Sequence, residues 1–473
     1  MRQFDDGGGK MRFVAALVKW LLVLVVVAIA GVAAWLYFFP PDLIRVGTGY
    51  AAKIVCSNVF IAGRDPDQVL SLDVQAPGNP VLKLITIDVD REAHTVTAGL
   101  LGPFGRSVAV AREGLGCASV PDGDVEQAAA LSLPPMPGAP IPDAEWPQGE
   151  HVAAAAQSPA IEAILDDPKM TGPGMRAVIV VHDGRIVGER YGDGFSAGTP
   201  LLGWSMTKTV NAAIVGTLVK EGRLALDDTA LFEAWDADNR GAISLASLMS
   251  MSSGLAFNED YGDVTDVTRM LYLEPDMAAF AADKPLSGQG GPAFSYSSGT
   301  GVMISRVWQD ALDDPEAALA WPREHLFMPV GMRSAVLETD ESGTFVGSSY
   351  LYATARDWAR FGQFLLQDGA WNGEQILPEG YVAWMHQPSQ AAPEVYGNGQ
   401  VWLHGPGIGA EDGPPADAGF AIPADAYWMI GHDGQTVAII PSKKLVVVRM
   451  GLTPSKLGYK PQALVAALVA AVQ

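Results

Sequence analysis

The sequence predicts an α+β fold behind an apolar N-terminal helix, and three observations carry that prediction. Runs of period-two alternation stand at both ends of the region from residue 151 onward, with 3.6-residue stripes between them. Strands set apart from helices, rather than alternating with them, indicate α+β and not α/β. Residues 20–39, finally, are 20 consecutive residues without a charge. No internal repeat is present.

That apolar run is long enough to cross a hydrocarbon core as a helix. Trp20 marks one edge, and Trp35 and Tyr37 the other. Arg2, Lys10, Arg12 and Lys19 outweigh Asp5 and Asp6, which places the N-terminal tip in the cytoplasm and the bulk of the chain outside. Ala28-Ile29-Ala30 resembles a signal-peptidase site, the rival reading. Because the apolar stretch runs nine residues further, residues 1–41 read as an uncleaved signal anchor.

Residues 42–122 read as a small β-rich unit, with strands near 84–89, 94–98 and 106–111. Cys56 and Cys117, the two cysteines of the chain, bracket it. An even pair in an exported chain is expected to form one disulfide. Residues 123–150 are rich in Pro, Ala and Gly and read as a linker. The large domain is expected over 151–473.

Within it, residues 176–182 and 185–191 flank Asp183-Gly184, a strong hairpin signal. A helix opens at Ser205 and stops before Gly222. Residues 257–263 form an acidic, aromatic loop. Thr354-Ala355-Arg356-Asp357 has the pattern of a capping box. Strands follow at 427–430, 436–440 and 445–450, and Leu464, Val465, Leu468, Val469 and Val472 face one side of a terminal helix.

Charge narrows the partners. The formal net charge is −22, of which residues 1–41 contribute +2, leaving −24 on the rest. So acidic a body is repelled by phosphate backbones, which argues against nucleic acid. The seven histidines are scattered, with no metal-binding spacing and no Cys cluster.

Chemistry concentrates in three stretches. Val210, Ala213, Ile214, Thr217 and Leu218 form one stripe of the helix that opens at Ser205, and Lys208 lies one turn on. A serine hydroxyl needs a nearby base to act as a nucleophile, and a helix N-terminus favours developing negative charge. Ser-x-x-Lys alone also fits an ordinary capped helix. In the second stretch, 294–299, Tyr296 could act as a general base if a cation such as Lys208 lowered its pKa. The third, 431–435, places Gly434 and Gln435 between two strands, where a backbone N–H could stabilise an oxyanion. A plain hairpin turn is the alternative there.

In this order the stretches resemble the β-lactamase-related serine hydrolases, which include class C β-lactamases, D-Ala-D-Ala carboxypeptidases, esterases and 6-aminohexanoate-dimer hydrolase. The family pattern of Ser-x-x-Lys, Tyr-Ser-Ser and His-x-Gly is matched by Ser205-Met206-Thr207-Lys208, Tyr296-Ser297-Ser298 and His432-Asp433-Gly434. The resemblance covers roughly 151–455 and leaves out 42–122. It implies a β-lactamase/transpeptidase-like fold, an antiparallel sheet flanked by helices with a helical subdomain. It also implies Ser205 as nucleophile, Lys208 as the cation that assists proton transfer, and Tyr296 as the group exchanging protons with Ser205 and the leaving group. The N–H groups of Ser205 and Gln435 would form the oxyanion hole. Ser298, His432 and Gly434 would contact substrate, Ser298 standing where lactamases carry Asn and His432 where they carry Lys. Both departures count against β-lactam turnover. The substrate expected is a small ester or amide, without a metal or cofactor, and the oligomeric state stays open.

Other classes fare worse. The chain lacks G-x-S-x-G around Ser205, which counts against a Ser-His-Asp hydrolase. A silent binding or sensor protein on the same fold would have no need of Ser205, Lys208 and Tyr296 together.

Overall fold

A computed structural model of the chain describes residues 7–133, 142–153, 158–288, 293–407 and 414–472, with side chains from residue 11. Within the stretch 123–150 read as a linker, residues 134–141 lie outside the described residues.

Helix α1 (Gly7–Phe38) includes one segment, Met11–Phe38, long and apolar enough to cross a membrane. Phe39, Pro40 and Pro41 end it, and α2 (Asp42–Phe60) starts at once. This 19-residue helix adds to the strands read in 42–122 an element that reading lacked. Gly47, Gly49 and the β-branched Val46, Thr48, Ile54, Val55 and Val59 give it weak helix propensity. Packing overrides that weakness, because α2 is buried nearly all round. One side lies on a four-stranded antiparallel meander, β1 (Ile85–Asp90), β2 (Thr95–Leu100), β3 (Phe104–Arg112) and β4 (Gly116–Ser119). The other side meets the helix Asp266–Leu273 of the large domain, so closely that a Cβ on Gly49 would touch Tyr272 at 3.0 Å. Cys56 on α2 and Cys117 on β4 form a disulfide with a Cα–Cα distance of 6.1 Å. The segment read as a linker contains a short helix, Val125–Ala130.

A buried ion pair joins this unit to the large domain. Glu338, fully buried, receives Lys53 Nζ at 2.5 Å, Ser57 Oγ at 2.8 Å and the Cys117 N–H at 2.6 Å. Gly116 has φ +62°, and a Cβ there would meet Glu338 Cγ at 2.6 Å, so this close approach requires glycine.

The large domain is built on β5 (Met175–His182), β6 (Arg185–Tyr191), β7 (Pro200–Leu202), β8 (Val336–Leu337), β9 (Leu351–Thr354), β10 (Tyr427–Gly431), β11 (Gln435–Ile440) and β12 (Leu445–Gly451). Its main sheet has the order β10-β11-β12-β5-β6, antiparallel throughout, with Val446 opposite Val181 and Val448 opposite Ile179. Strands from the two ends of the domain are thus neighbours. The sheet is buried on both faces, and alternate residues serve different cores. Ala177, Ile179 and Val181 pack with Phe361 and Phe364, whereas Val178 and Val180 pack with Leu464, Val465 and Leu468. The β5–β6 turn has Asp183 at φ 51° and Gly184 at φ 73°, as its sequence demands.

Helices α3 (Thr207–Lys220) and α4 (Ser298–Asp310) form the core of the helical half. Helix α5 (Ala355–Leu366) covers one face of the sheet, and α6 (Pro461–Ala471) the other. The expected capping box at 354–357 is only half formed. Thr354 accepts the Asp357 N–H at 3.2 Å, but the Asp357 carboxylate turns to Ser334 and Arg360 instead of the Thr354 N–H.

Candidate active site

Ser205 lies in a tight turn, residues 204–206, between β7 and α3. Trp204 holds φ +49°, an uncommon conformation for a bulky residue, and Gly203 tolerates no side chain because a Cβ would sit 2.2 Å from Trp358. The turn is therefore fixed by its surroundings rather than by its own preference.

Lys208 is one helical turn further on and 1% exposed. Its Nζ reaches three oxygens, each at 3.1 Å: Ser205 Oγ, Ser298 Oγ and the Ser348 carbonyl. It also lies 4.7 Å from the Tyr296 ring centroid. Burial lowers its pKa to about 8, against an opposing pull from Glu259. The arrangement depends on α3 and α4 staying in register. Asn211 ensures this, donating to the Gly301 carbonyl at 2.9 Å and accepting from Trp308 Nε1 at 2.9 Å and Ser305 Oγ at 3.2 Å. Gly301 and Gly347 let the 347–349 loop come close enough for Ser348 to reach Lys208, since a Cβ on either would collide.

The Tyr296 ring packs against Trp402 and Tyr396 beside Lys208. The expectation of a lowered tyrosine pKa is not met. Burial raises it well above the ordinary value, and Ser205 offsets only part of that rise. Burial thus moves Tyr296 away from neutral pH and Lys208 toward it, to about 8.

Ser298 opens α4. Besides Lys208 it bonds Glu259, whose carboxylate accepts both the Ser298 hydroxyl and its N–H, the latter at 2.7 Å. Burial raises the Glu259 pKa, with Lys208 opposing. Sequence reasoning missed Glu259, because the acidic run 257–263 offers nothing that separates it from its neighbours. Ser348 was missed too, since a carbonyl carries no residue signature.

His432 is partly exposed between two rings, 5.6 Å from Trp204 and 5.3 Å from Tyr261. Its Nε2 is 3.5 Å from Asp433 Oδ1, so an acid accompanies the imidazole. Asp433 has φ 56° and Gly434 φ 87°. The Gln435 side chain pins this turn to Gly451 at the end of β12, accepting its N–H at 2.8 Å and donating to its carbonyl. Gly431 approaches the 203–206 turn so closely that a Cβ would lie 2.2 Å from the Gly203 carbonyl. All three predicted stretches thus converge on Ser205.

Comparison with known proteins agrees with this geometry. A family model described as Beta-lactamase matches residues 165–470. A 6-aminohexanoate-dimer hydrolase of Paenarthrobacter ureafaciens is 25% identical over 44% of this chain and 55% of its own length. The chain thus spans about half of that relative. A solved structure from Bacillus anthracis, described as a 6-aminohexanoate-dimer hydrolase, is 26% identical, with a TM-score of 0.51 over 65% of this chain and 80% of that one. A Bacteroides dorei structure described as a β-lactamase shares the fold, with a TM-score of 0.51 at 20% identity over 66% of this chain and 96% of that one. With well over half of its residues matched by the family model, the chain belongs to the Beta-lactamase family of hydrolases.

Proposed function

We propose that this protein is a membrane-anchored serine hydrolase that cleaves a small ester or amide through an acyl-enzyme on Ser205. One observation carries the reading: a buried Lys208 with a pKa near 8 lies 3.1 Å from Ser205 Oγ. Neutral Lys208 takes the hydroxyl proton as Oγ adds to the substrate carbonyl. The N–H groups of Ser205 and Gln435 hold the oxyanion. The C–O or C–N bond then breaks, the leaving group takes a proton relayed through Tyr296, and water releases the acid. The apolar Met11–Phe38 helix and the Cys56–Cys117 disulfide support an anchored chain with its catalytic domain on the extracytoplasmic side. The name of the Paenarthrobacter relative favours a linear amide among the candidate substrates.

The direct test is intact-mass spectrometry of full-length protein treated with a fluorophosphonate. One adduct is expected, located to Ser205 and absent from Ser205→Ala. An unlabelled wild type would mark a silent member of the family, and an adduct surviving in the variant would rule out Ser205.

Specificity follows from His432 and its acidic neighbour. A lysine there would offer a permanent cation to a substrate carboxylate, whereas an imidazole beside Asp433 on an acidic body offers little. A neutral p-nitrophenyl ester is expected to surpass a chromogenic cephalosporin in kcat/KM. His432→Lys should shift that ratio toward the cephalosporin by roughly two- to fivefold, the scale of a half-exposed charge pair. A wild-type preference for the cephalosporin would contradict the argument.

A further inference from the structure

We propose that an apolar cavity between the N-terminal unit and the catalytic turn holds an aliphatic chain of the substrate. The natural substrate is then a lipid-like ester or amide taken from a membrane surface. This deepens the Ser205 reading and rests on it.

The cavity has a volume of about 300 Å³, within the range of ligand sites. One wall is α2, through Val46 and Gly47, and a second is the 77–85 segment, through Val81 and Leu82. Trp204, Tyr261 and His432 line it as well. Trp204 immediately precedes Ser205, and the Tyr261 ring packs 5.3 Å from that of His432. The N-terminal unit, outside the family match, therefore supplies walls of a cavity that shares Trp204, Tyr261 and His432 with the surroundings of Ser205.

The lining is polarised. Asp263 and Asp433 belong to the same turns as Tyr261 and His432, so polar groups accompany the catalytic end. Leu43 and Val81 also line the cavity and are 52% and 53% exposed, and Tyr261 is 44% exposed, so the cavity is open to solvent. Leu43 is only five residues beyond the end of the apolar α1. Exposed Leu84 and Leu101 extend the same apolar surface beside the mouth. A head group at Ser205 with its chain pointing toward the anchor matches this gradient. A small polar substrate leaves both the apolar walls and the unshielded leucines without a role.

Gly47 provides the lever. A Cβ there would meet Leu82 Cδ2 at 3.3 Å and Ile85 Cδ1 at 3.7 Å, both cavity-lining side chains, so a larger residue must occupy the cavity.

The test uses full-length protein in lipid nanodiscs with two substrate series, p-nitrophenyl esters from acetate to dodecanoate and alkyl acetates of matching length. In one series kcat/KM should rise about three- to fourfold per methylene until the cavity is filled. A rise in the first series places the chain on the acyl side, and a rise in the second places it on the leaving group. Gly47→Leu should cut the long-to-short ratio at least tenfold. Val81→Asp, at an exposed position, should lower it too and replaces Gly47→Leu should that variant not fold. Flat profiles in both series, with acetate hydrolysed, overturn the cavity proposal and leave the Ser205 reading standing. No hydrolysis of any ester overturns the Ser205 reading instead. The cavity is then judged by binding of dansylaminoundecanoic acid: saturable binding weakened by Gly47→Leu supports it, and no saturable binding refutes it.

Discussion

Replacing Ser205 by alanine is expected to lower kcat/KM for a p-nitrophenyl ester by roughly 10³- to 10⁶-fold, as for other nucleophiles that work as a unit with their base. Lys208→Met should cost nearly as much, and the double variant should be no slower than the worse single one. The pH profile identifies the base. In the proposed mechanism neutral Lys208 is the competent form, so wild-type kcat/KM should rise through a pKa of about 8 and fall away as acid restores the cation. Stability runs the same way. Between about 8 and the ordinary lysine value of 10.5 the unfolded chain binds more protons at this site than the folded one. Lys208 therefore costs the fold most at and below pH 8, and the cost fades toward pH 10.5. Lys208→Met should leave the thermal midpoint at pH 7 unchanged or higher while turnover collapses. A flat profile between pH 6.5 and 9.5, or losses that multiply in the double variant, would remove Lys208 as the base.

Glu338→Leu should destabilise the protein by about 3–5 kcal/mol, because it leaves the Lys53 ammonium buried without its partner. Lys53 is 1% exposed, and burial already lowers its pKa against the opposing pull of Glu338. The double variant Lys53→Met with Glu338→Leu removes both charges and should recover much of the loss. Denaturant unfolding of the full-length chain measures both. A single-variant cost below about 1 kcal/mol would mean that water or a rearranged side chain reaches Lys53. The effect should extend to turnover. The Glu338 N–H bonds the Tyr350 carbonyl, and the intervening loop carries Ser348, which holds Lys208.

What could be read in the sequence was whatever is local in the chain. Ser205 and Lys208 share a helical face, Asp183-Gly184 encodes its own turn, and His432 to Gln435 sit between two alternating runs. Burial and long-range contact were not legible. Helix α2 escaped notice because its glycines and β-branched residues argue against a helix, and only its two packed sides reverse that preference. Tyr296 invited the idea of a lowered pKa from a nearby cation, but its sign is set by burial, which no short motif records. Glu259 acquires its place through Ser298, 39 residues away.

The Lys53–Glu338 pair also dictates an order of events during synthesis. Its partners are 285 residues apart, whereas the two cysteines are only 61 apart. At ordinary translation rates of ~5–20 residues per second, Glu338 leaves the ribosome about 15–60 s after Lys53. In that interval the N-terminal unit can close its cross-link, but one side of α2 stays open with an unneutralised lysine on it. A segment made long before Glu338 is thus among the last to be finished, and the late-made Glu338 serves as its keystone.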